Sequence, residues 1–365
     1  MALKCGIVGI TNVGKTTLFN CVSSSKAEAT AFAFSTNKSN IGMVSVPDPR
    51  LTELKKHQET EKIIPTTVEL VDIPGLAKGA SEGEGIGNKF LEDIRQTDAL
   101  IHVVRCFDDE NLPHVEGSID PVRDKEILEF ELQVADLAII EKKIERVKKK
   151  VSVGDKDAKR ELEALLKYKG HLENLQSARS LDVTEDEKKA VLELNLLTEK
   201  PVMYVCNVDD AAAVDGNDYV KNFSEAIAEE KAEILYIAGK MEAEIAELEE
   251  EEDRKEFLAD SGLTEPGVDK VVRIAYRLLD LQTFFTVGPK EIRAWTIKKG
   301  YTAPEASGVI HSDLQRGFIR AEVMKYDDFV SLGSENACKQ AGKFAVEGKS
   351  YVVEDGDILH IRFNV

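Results

Sequence analysis

Short apolar runs alternate with helical patterns over the first two thirds of the chain. Five runs predict buried strands, at residues 3–10, 66–72, 99–105, 201–206 and 233–237. Helical patterns lie between several of them, the first at about 15–24. Buried strands that alternate with helices are typical of parallel sheets covered on both faces. The pattern therefore predicts an α/β fold with a doubly wound, mostly parallel sheet.

The interval between the third and fourth strands is too long for a single crossover. Apolar residues recur in it every three or four positions, at Ile127, Phe130, Val134, Leu137, Ile140, Ile144, Val147 and Val151. A break at 153–155 and a second leucine pattern from Leu162 predict two antiparallel helices. This α-helical hairpin has the position of an insertion into the sheet domain, and its sequence fits either a packing element or an interaction arm.

From Leu281 onward the pattern changes to alternating strands punctuated by glycines, which predicts a separate α+β domain. We therefore divide the chain into a sheet domain at 1–123 and 200–280, a helical insertion at 124–199 and a C-terminal domain at 281–365. The last of these carries 11 basic and 11 acidic residues. Its basic residues available for a surface patch are Lys298, Lys299, Arg316 and Arg320.

Charge and cysteine usage narrow the functional classes. The 365-residue chain has 48 basic and 67 acidic residues, a net charge of −19. Bulk charge therefore does not hold it to nucleic acid or to an anionic membrane, and we expect no sequence-specific DNA binding. The five cysteines lack C-x-x-C spacing, which disfavours a zinc site and indicates reduced thiols. With no signal-peptide pattern and no run long enough for a bilayer, we expect a cytoplasmic protein without membrane association.

The clearest chemical motif is Gly9-Ile-Thr-Asn-Val-Gly-Lys-Thr16, which matches G-x-x-x-x-G-K-[ST]. Backbone N–H groups of such a loop cradle phosphates at a helix N-terminus. Lys15 is predicted to reach the β- and γ-phosphates, and the Thr16 hydroxyl to bind Mg²⁺. A glycine turn with a surface lysine is the alternative, but the predicted strand before the motif and helix after it disfavour that interpretation. The remaining predicted nucleotide contacts of the loop are Asn12, Val13, Gly14 and Thr17.

A second motif, Asp72-Ile-Pro-Gly75, directly follows an apolar strand. The carboxyl end of a strand in this type of sheet borders the crevice where ligands bind, so Asp72 is predicted to be part of the Mg²⁺ site. Gly75 is predicted to direct its N–H to the γ-phosphate. Thr36 lies between the two motifs and is predicted to close over Mg²⁺ and the γ-phosphate.

The predicted base-binding end is less well defined. Asn207-Val-Asp-Asp210 ends the fourth strand, where Ras-like GTPases carry N-K-x-D. Asn207 and an acid at Asp210 are present, but Val208 replaces the lysine whose stem covers guanine. Gly239, in the turn after the fifth strand, is predicted to approach the base as well.

Several longer stretches of the sequence match a known family. They include 12–17 (NVGKTT), 46–51 (VPDPRL), 72–80 (DIPGLAKGA), 102–107 (HVVRCF), 293–296 (RAWT) and 317–323 (GFIRAEV). The chain resembles the YchF subfamily of the Obg-related P-loop GTPases, also called Obg-like ATPases, over essentially its whole length.

The resemblance implies a P-loop NTPase domain with the inserted hairpin and a C-terminal β-grasp domain of the TGS type. It also implies ATP in preference to GTP, Mg²⁺, slow hydrolysis and association with the ribosome, for which we expect the large subunit. Two departures from the family pattern stand out: Asp210 replaces the usual glutamate, and residues 33–40 differ around Thr36.

Water positioning is the part of the mechanism that the motifs leave open. Leu76 occupies the place where Ras-like enzymes carry glutamine, and a leucine cannot orient water. One candidate for the missing catalytic group is K⁺, which the resemblance places near Asn12. Another is His114, as a catalytic residue that orients water. The alternative for His114 is a solvent-exposed loop histidine. His102 is predicted to be a satisfied core residue. The competing function is a GTP-preferring signalling GTPase that binds a protein partner.

Overall fold

The computed structural model describes residues 3–24, 40–76 and 86–364. The chain forms two compact units, the first from Met1–Met43 and Glu69–Val271 and the second from Val44–Val68 and Val272–Val365. Thr36, predicted above as a metal ligand, lies outside the described residues.

The described strands are β1 (Lys4–Val8), β2 (Asn40–Ser45), β3 (Lys62–Ile64), β4 (Thr67–Asp72), β5 (Ala99–Arg105), β6 (Val202–Asn207), β7 (Ile234–Ile237), β8 (Leu281–Val287), β9 (Glu291–Lys298), β10 (Phe318–Met324), β11 (Ala345–Glu347) and β12 (Ile358–Phe363). The α-helices are α1 (Lys15–Ser24), α2 (Pro49–His57), α3 (Ile86–Arg95), α4 (Pro121–Val151), α5 (Lys156–Glu173), α6 (Glu185–Leu192), α7 (Asp218–Ala226), α8 (Gly239–Glu247), α9 (Glu251–Asp260), α10 (Gly267–Leu278), α11 (Ala303–Ile310), α12 (Ser312–Arg316), α13 (Tyr326–Leu332) and α14 (Glu335–Gln340).

The first sheet has the order β2-β4-β1-β5-β6-β7 within the described part of the chain. The pairs from β4 through β7 are all parallel, with Cys5 opposite both Leu70 and Ala99. Every residue of β5 is buried, as expected for a central parallel strand covered on both faces. The doubly wound, mostly parallel sheet and its five strands are thus confirmed, while β2 was not predicted.

The long insertion begins as a hairpin of α4 and α5, with α6 packed on it. Phe130 is the error in the predicted apolar seam, since it is 50% exposed. The reason is that α4 changes the face it buries. Leu128 and Leu132 pack in the core of the sheet domain, whereas Ile140, Ile144 and Val147 pack against the other two helices.

The second unit is built on a mixed sheet of order β11-β10-β12-β8-β9-β3. One core contains Phe285, Met324 and Ile358 together with Leu51 and Leu54 of α2, and a second core is centred on Phe284, Ala321 and Leu359. A mixed α/β domain at the C-terminal end is confirmed, and its TGS type stays a prediction.

The predicted division of the chain placed residues 272–280 in the sheet domain, whereas they belong to the second unit. Residues 44–68 also differ from that division, which placed them in the sheet domain. Strand β3 pairs in parallel with β9, with Ile63 opposite Ile292, and α2 packs in the core of the second unit. The segment therefore folds with residues far along the chain rather than with its sequence neighbours.

All five cysteines lie within the described residues, where each is buried and outside any disulfide. None of the helices described is both long and apolar enough to cross a bilayer.

Candidate nucleotide site

The loop between β1 and α1 has a backbone that glycine makes possible. Gly9 has φ +152°, and a Cβ there would lie 2.5 Å from the carbonyl oxygen of Val103. Gly14 has φ +100°, and Asn12 adopts a left-handed conformation with φ 64°. Such conformations turn successive N–H groups inward, which is the geometry that holds phosphates.

Lys15 lies at the N-terminus of α1 and is only 6% exposed. Its Nζ donates to the carbonyl oxygen of Ile10 at 2.6 Å, so the ammonium group is folded over the loop. Burial lowers the pKa of Lys15 to about 8, while the charge of Asp72 opposes that shift. The ammonium form therefore still predominates at neutral pH, and the negative charge of a triphosphate would favour it further.

Thr16 and Asp72 meet as predicted for a metal-binding pair. The Thr16 Oγ1 donates to Asp72 Oδ2 at 3.0 Å. Burial raises the pKa of Asp72, and the hydrogen bond from Thr16 and the charge of Lys15 act against the rise. The other carboxylate oxygen, Oδ1, is buried without a hydrogen-bond partner among the described residues. A hydroxyl and an unpaired carboxylate oxygen at the phosphate loop fit the oxygen ligands that Mg²⁺ prefers.

The segment after Asp72 runs against the phosphate loop. Leu76 N donates to Gly9 O at 3.2 Å, and a Cβ at Gly75 would lie 3.1 Å from Lys15 Nζ. The absence of a side chain at Gly75 leaves room for the lysine, and the N–H contact of Gly75 to phosphate stays a prediction. Leu76 is 3% exposed and belongs to the hydrophobic core, so its side chain is withdrawn from the loop.

Asn207 connects the phosphate loop to the predicted base-binding turns. Its Nδ2 donates to Val13 O at 2.9 Å, and its Oδ1 accepts from Gly239 N at 3.1 Å. A Cβ at Gly239 would lie 2.9 Å from Asn207 Oδ1, which explains the glycine. Val208 is 3% exposed in the core and has no surface to offer to a base.

Asp210 is the exposed member of the predicted base-binding set. Its side chain is 46% exposed, and Lys240 Nζ lies 4.0 Å from its Oδ2. Lys240 itself is 79% exposed, so this pair is weak and solvent-screened. Thr17 lies exposed on α1, on the helix that Lys15 begins.

His114 lies in the loop before α4, close to the phosphate loop. The Pro113 carbonyl oxygen accepts from Asn12 Nδ2 at 3.4 Å. His114 Nε2 lies 2.8 Å from Asp124 Oδ2, and its Nδ1 accepts from the Glu116 N–H at 3.1 Å. The side chain is 3% exposed, so the solvent-exposed alternative is wrong. In this conformation both ring nitrogens are engaged, and the catalytic role stays a prediction.

Two further residues of β5 were misjudged or overlooked. His102 is buried as predicted, but its Nε2 has no partner in the described part of the chain, so it is not satisfied. Burial lowers its pKa to about 3, so the ring is neutral. Arg105 is 1% exposed and binds the loop that leads to His114. A charged residue ending an apolar strand was the sequence signal for it.

Family models match two parts of the chain. A model described as a 50S ribosome-binding GTPase matches residues 4–150, and one named YchF-GTPase_C, described as a protein of unknown function, matches 281–364. Curated proteins called ribosome-binding ATPase YchF are similar over the full length of both chains. The protein of Haemophilus ducreyi is 50% identical over 365 residues and that of Bacillus subtilis 49% over 367. The chain belongs to the YchF family.

A solved structure extends this similarity to the fold. The YchF GTPase of Schizosaccharomyces pombe is 34% identical, with a TM-score of 0.88, over 99% of this chain and 97% of that one. As a member of the YchF family, the chain is a P-loop nucleoside triphosphatase.

Proposed function

We propose that the protein is a ribosome-associated ATPase that requires Mg²⁺, prefers ATP to GTP and acts as a nucleotide-switched factor in translation in the cytoplasm. The observation that carries the proposal is identity of up to 50% to proteins named ribosome-binding ATPase, over the full length of both chains. The geometry around Lys15, Thr16 and Asp72 supplies the chemistry that such an activity needs.

Mg²⁺ would be held by the Thr16 hydroxyl and the unpaired Oδ1 of Asp72, directly or through water, together with phosphate oxygens. The ion would neutralise charge on the β- and γ-phosphates. Thr36 remains a further proposed ligand. The chain itself contributes Lys15 to the phosphates, the N–H groups of the loop and the N–H of Gly75.

Hydrolysis is expected to be slow without an activator, because Leu76 is buried and cannot orient water. K⁺ is the proposed activating cation, with Asn12 beside the phosphates as its protein ligand. His114 is the second proposed contributor and would need to exchange its contact with Asp124 for one to water. Replacing Na⁺ with K⁺ should therefore raise the rate, and equal rates would remove K⁺ from the mechanism.

The preference for ATP is supported by the base-binding end. Val208 lies in the core, so the lysine stem that covers guanine in Ras-like enzymes has no counterpart at that position. Asp210 argues in the other direction, since a carboxylate can accept from guanine N1–H and N2–H₂. Its pairing with Lys240 and its exposure weaken that discrimination. We therefore propose a modest preference rather than exclusion of GTP.

Competition binding with ATP and GTP on the purified protein tests this proposal. ATP should bind as tightly as GTP or tighter. GTP binding more than about tenfold tighter, or ~1.4 kcal/mol, would instead support the second candidate, a GTP-preferring signalling GTPase with a protein partner. The retained acid at Asp210 is the observation that favours that candidate.

Ribosome binding is proposed to involve Lys298, Lys299, Arg316 and Arg320, with the large subunit as the expected partner. All four are exposed, but three lie near acids: Arg316 near Asp313, Arg320 near Glu322 and Lys299 near Asp280. Lys298 is the member without an ion pair among the described residues. Contacts of this kind to RNA phosphates weaken with salt.

A variant with alanine at all four positions should cosediment less with ribosomes while ATP affinity is unchanged. The matched control removes the same charge from the exposed hairpin lysines Lys148, Lys149, Lys150 and Lys156. Loss of cosedimentation only in the control would move the contact to the hairpin. Equal cosedimentation of both variants and the wild type would argue against electrostatic ribosome binding by either surface.

A further inference from the structure

Arg105 is a buried arginine whose hydrogen-bond acceptors are backbone carbonyl oxygens rather than carboxylates. It ends β5 and is 1% exposed. Its Nε donates to Phe107 O at 3.0 Å, its Nη1 to Leu112 O at 2.7 Å and its Nη2 to Asp109 O at 3.4 Å. The guanidinium carbon lies 4.5 Å from the centroid of the Phe107 ring. One side chain therefore binds three points of the segment 107–112.

Arginine is rarely this buried unless it is paired, because desolvation of the charge is costly. Here carbonyl dipoles and an aromatic face compensate for that cost. A residue needed only for packing could be leucine or methionine without this penalty, since buried ionic groups are often replaced by apolar ones without loss of stability. The guanidinium donors of Arg105 therefore indicate that the segment 107–112 has to be held in one conformation.

The segment that Arg105 fixes connects directly to the phosphate loop. After Leu112 come Pro113, whose carbonyl accepts from Asn12, and His114, which is held by Asp124. The other side of the segment is also held from α7. Asn217 donates to Cys106 O at 2.7 Å, and the Tyr219 hydroxyl donates to Asp108 Oδ2 at 2.9 Å.

The backbone of Arg105 is fixed beside the base-binding end of the site. Arg105 is the register partner of Asn207 across β5 and β6, and Cys106 N donates to Asn207 O at 2.7 Å. Its side chain therefore sets the position of the 107–114 segment relative to a strand that also holds the phosphate loop through Asn207. Both ends of the nucleotide site are thus attached to β6 at Asn207.

We propose that Arg105 is a positioning residue for hydrolysis, which fixes the stem of the 107–114 loop so that Pro113 and His114 meet the nucleotide at the Asn12 side of the phosphate loop. This inference rests on the proposed ATPase function. Without the guanidinium, the stem of the loop loses three hydrogen bonds and its position becomes less well defined. A displacement of about 1 Å can lower a rate by up to about 100-fold.

The test compares Arg105→Met and Arg105→Lys with the wild-type full-length chain. Arg95→Met is the matched control, because Arg95 also donates to loop carbonyls, those of Leu194 and Asn195, in a part of the fold that does not reach the phosphate loop. Arg105→Met should lower kcat at least about tenfold with ATP affinity changed less than about threefold. Arg105→Lys should recover part of kcat, and Arg95→Met should match the wild type.

Hydrogen exchange of the amides of 107–117 supplies a readout independent of turnover, and Arg105→Met should accelerate it. The double variant with His114→Ala should be no slower than the slower single variant, because both changes act through one loop. Unchanged or increased kcat in Arg105→Met, additive losses in the double variant, or unchanged exchange would each overturn the inference. Absence of turnover in the wild type would refute the proposed ATPase function instead, and the exchange measurement would still decide whether Arg105 holds the loop.

Discussion

The phosphate-binding and base-binding ends of the nucleotide site are built in different ways. At the phosphate end, Lys15 and Asp72 are nearly buried and are held by the loop and by Thr16. At the base end, Asp210 and Lys240 are largely exposed and lie 4.0 Å apart. Preorganised buried groups give large and specific energies, whereas exposed charges contribute little. Affinity should therefore depend on the first end and base selectivity on small differences at the second.

Lys15→Ala is expected to have the largest effect on nucleotide affinity. The variant loses a charge-assisted contact to the β- and γ-phosphates, which is worth about 3 kcal/mol, so affinity should fall at least about 100-fold. Calorimetry with ATP measures it, and Lys240→Ala is the matched lysine at the base end. Similar losses for both lysines would show that the two ends contribute equally.

Asn207→Ala tests the connection between the ends. Both hydrogen bonds of the side chain are lost, at about 1 kcal/mol each, so ATP and GTP should both bind about 30-fold more weakly. Asn174→Ala removes an exposed bond to Gly170 O and serves as the control. A loss confined to one nucleotide would mean that Asn207 contacts the base and does not organise the site.

Thr16→Ala should cost less, about tenfold in ATP affinity, and only when Mg²⁺ is present. ATP titrations in the presence of Mg²⁺ and in the presence of a chelator separate the metal-dependent loss of affinity from the metal-independent loss. An equal loss under both conditions would assign Thr16 to the phosphates rather than to the metal.

The smallest effect is expected at Asp210. Asp210→Glu should shift the ATP-to-GTP affinity ratio towards ATP by less than about tenfold, because the carboxylate is screened by water. Competition binding gives the ratio. A larger shift, or one towards GTP, would mean that the base end is as preorganised as the phosphate end.

The same contrast explains what the sequence could predict. The glycine spacing of the phosphate loop is local, so the roles of Lys15 and Thr16 could be predicted from neighbouring residues, and the all-apolar runs indicated buried parallel strands. The contact between His114 and Asp124 could not be predicted, because it depends on the path of a loop into α4. Phe130 was misplaced since one helix buries two different faces, against the sheet and then against α5.

Strand β3 was missed for a related reason. Lys62-Ile-Ile64 is too short to give a pattern of its own, and its partner β9 lies more than two hundred residues away. Pairing over such a separation leaves no local signal in composition or periodicity. The partition of the chain at residue 281 followed the change in pattern and therefore left out a segment that folds with the C-terminal residues.

The location of residues 44–68 in the second unit affects folding during synthesis and the solubility of truncated fragments. During synthesis, residues 44–68 emerge well before β9, so Leu51 and Leu54 are exposed until the residues that form their core have been made. A fragment truncated before residue 281 would carry these apolar side chains and a strand without its partner, which are features that promote aggregation. Conversely, a fragment beginning at residue 281 would lack an edge strand and a helix. Soluble expression of the C-terminal module should therefore require residues 44–68 to be supplied, fused or as a separate peptide.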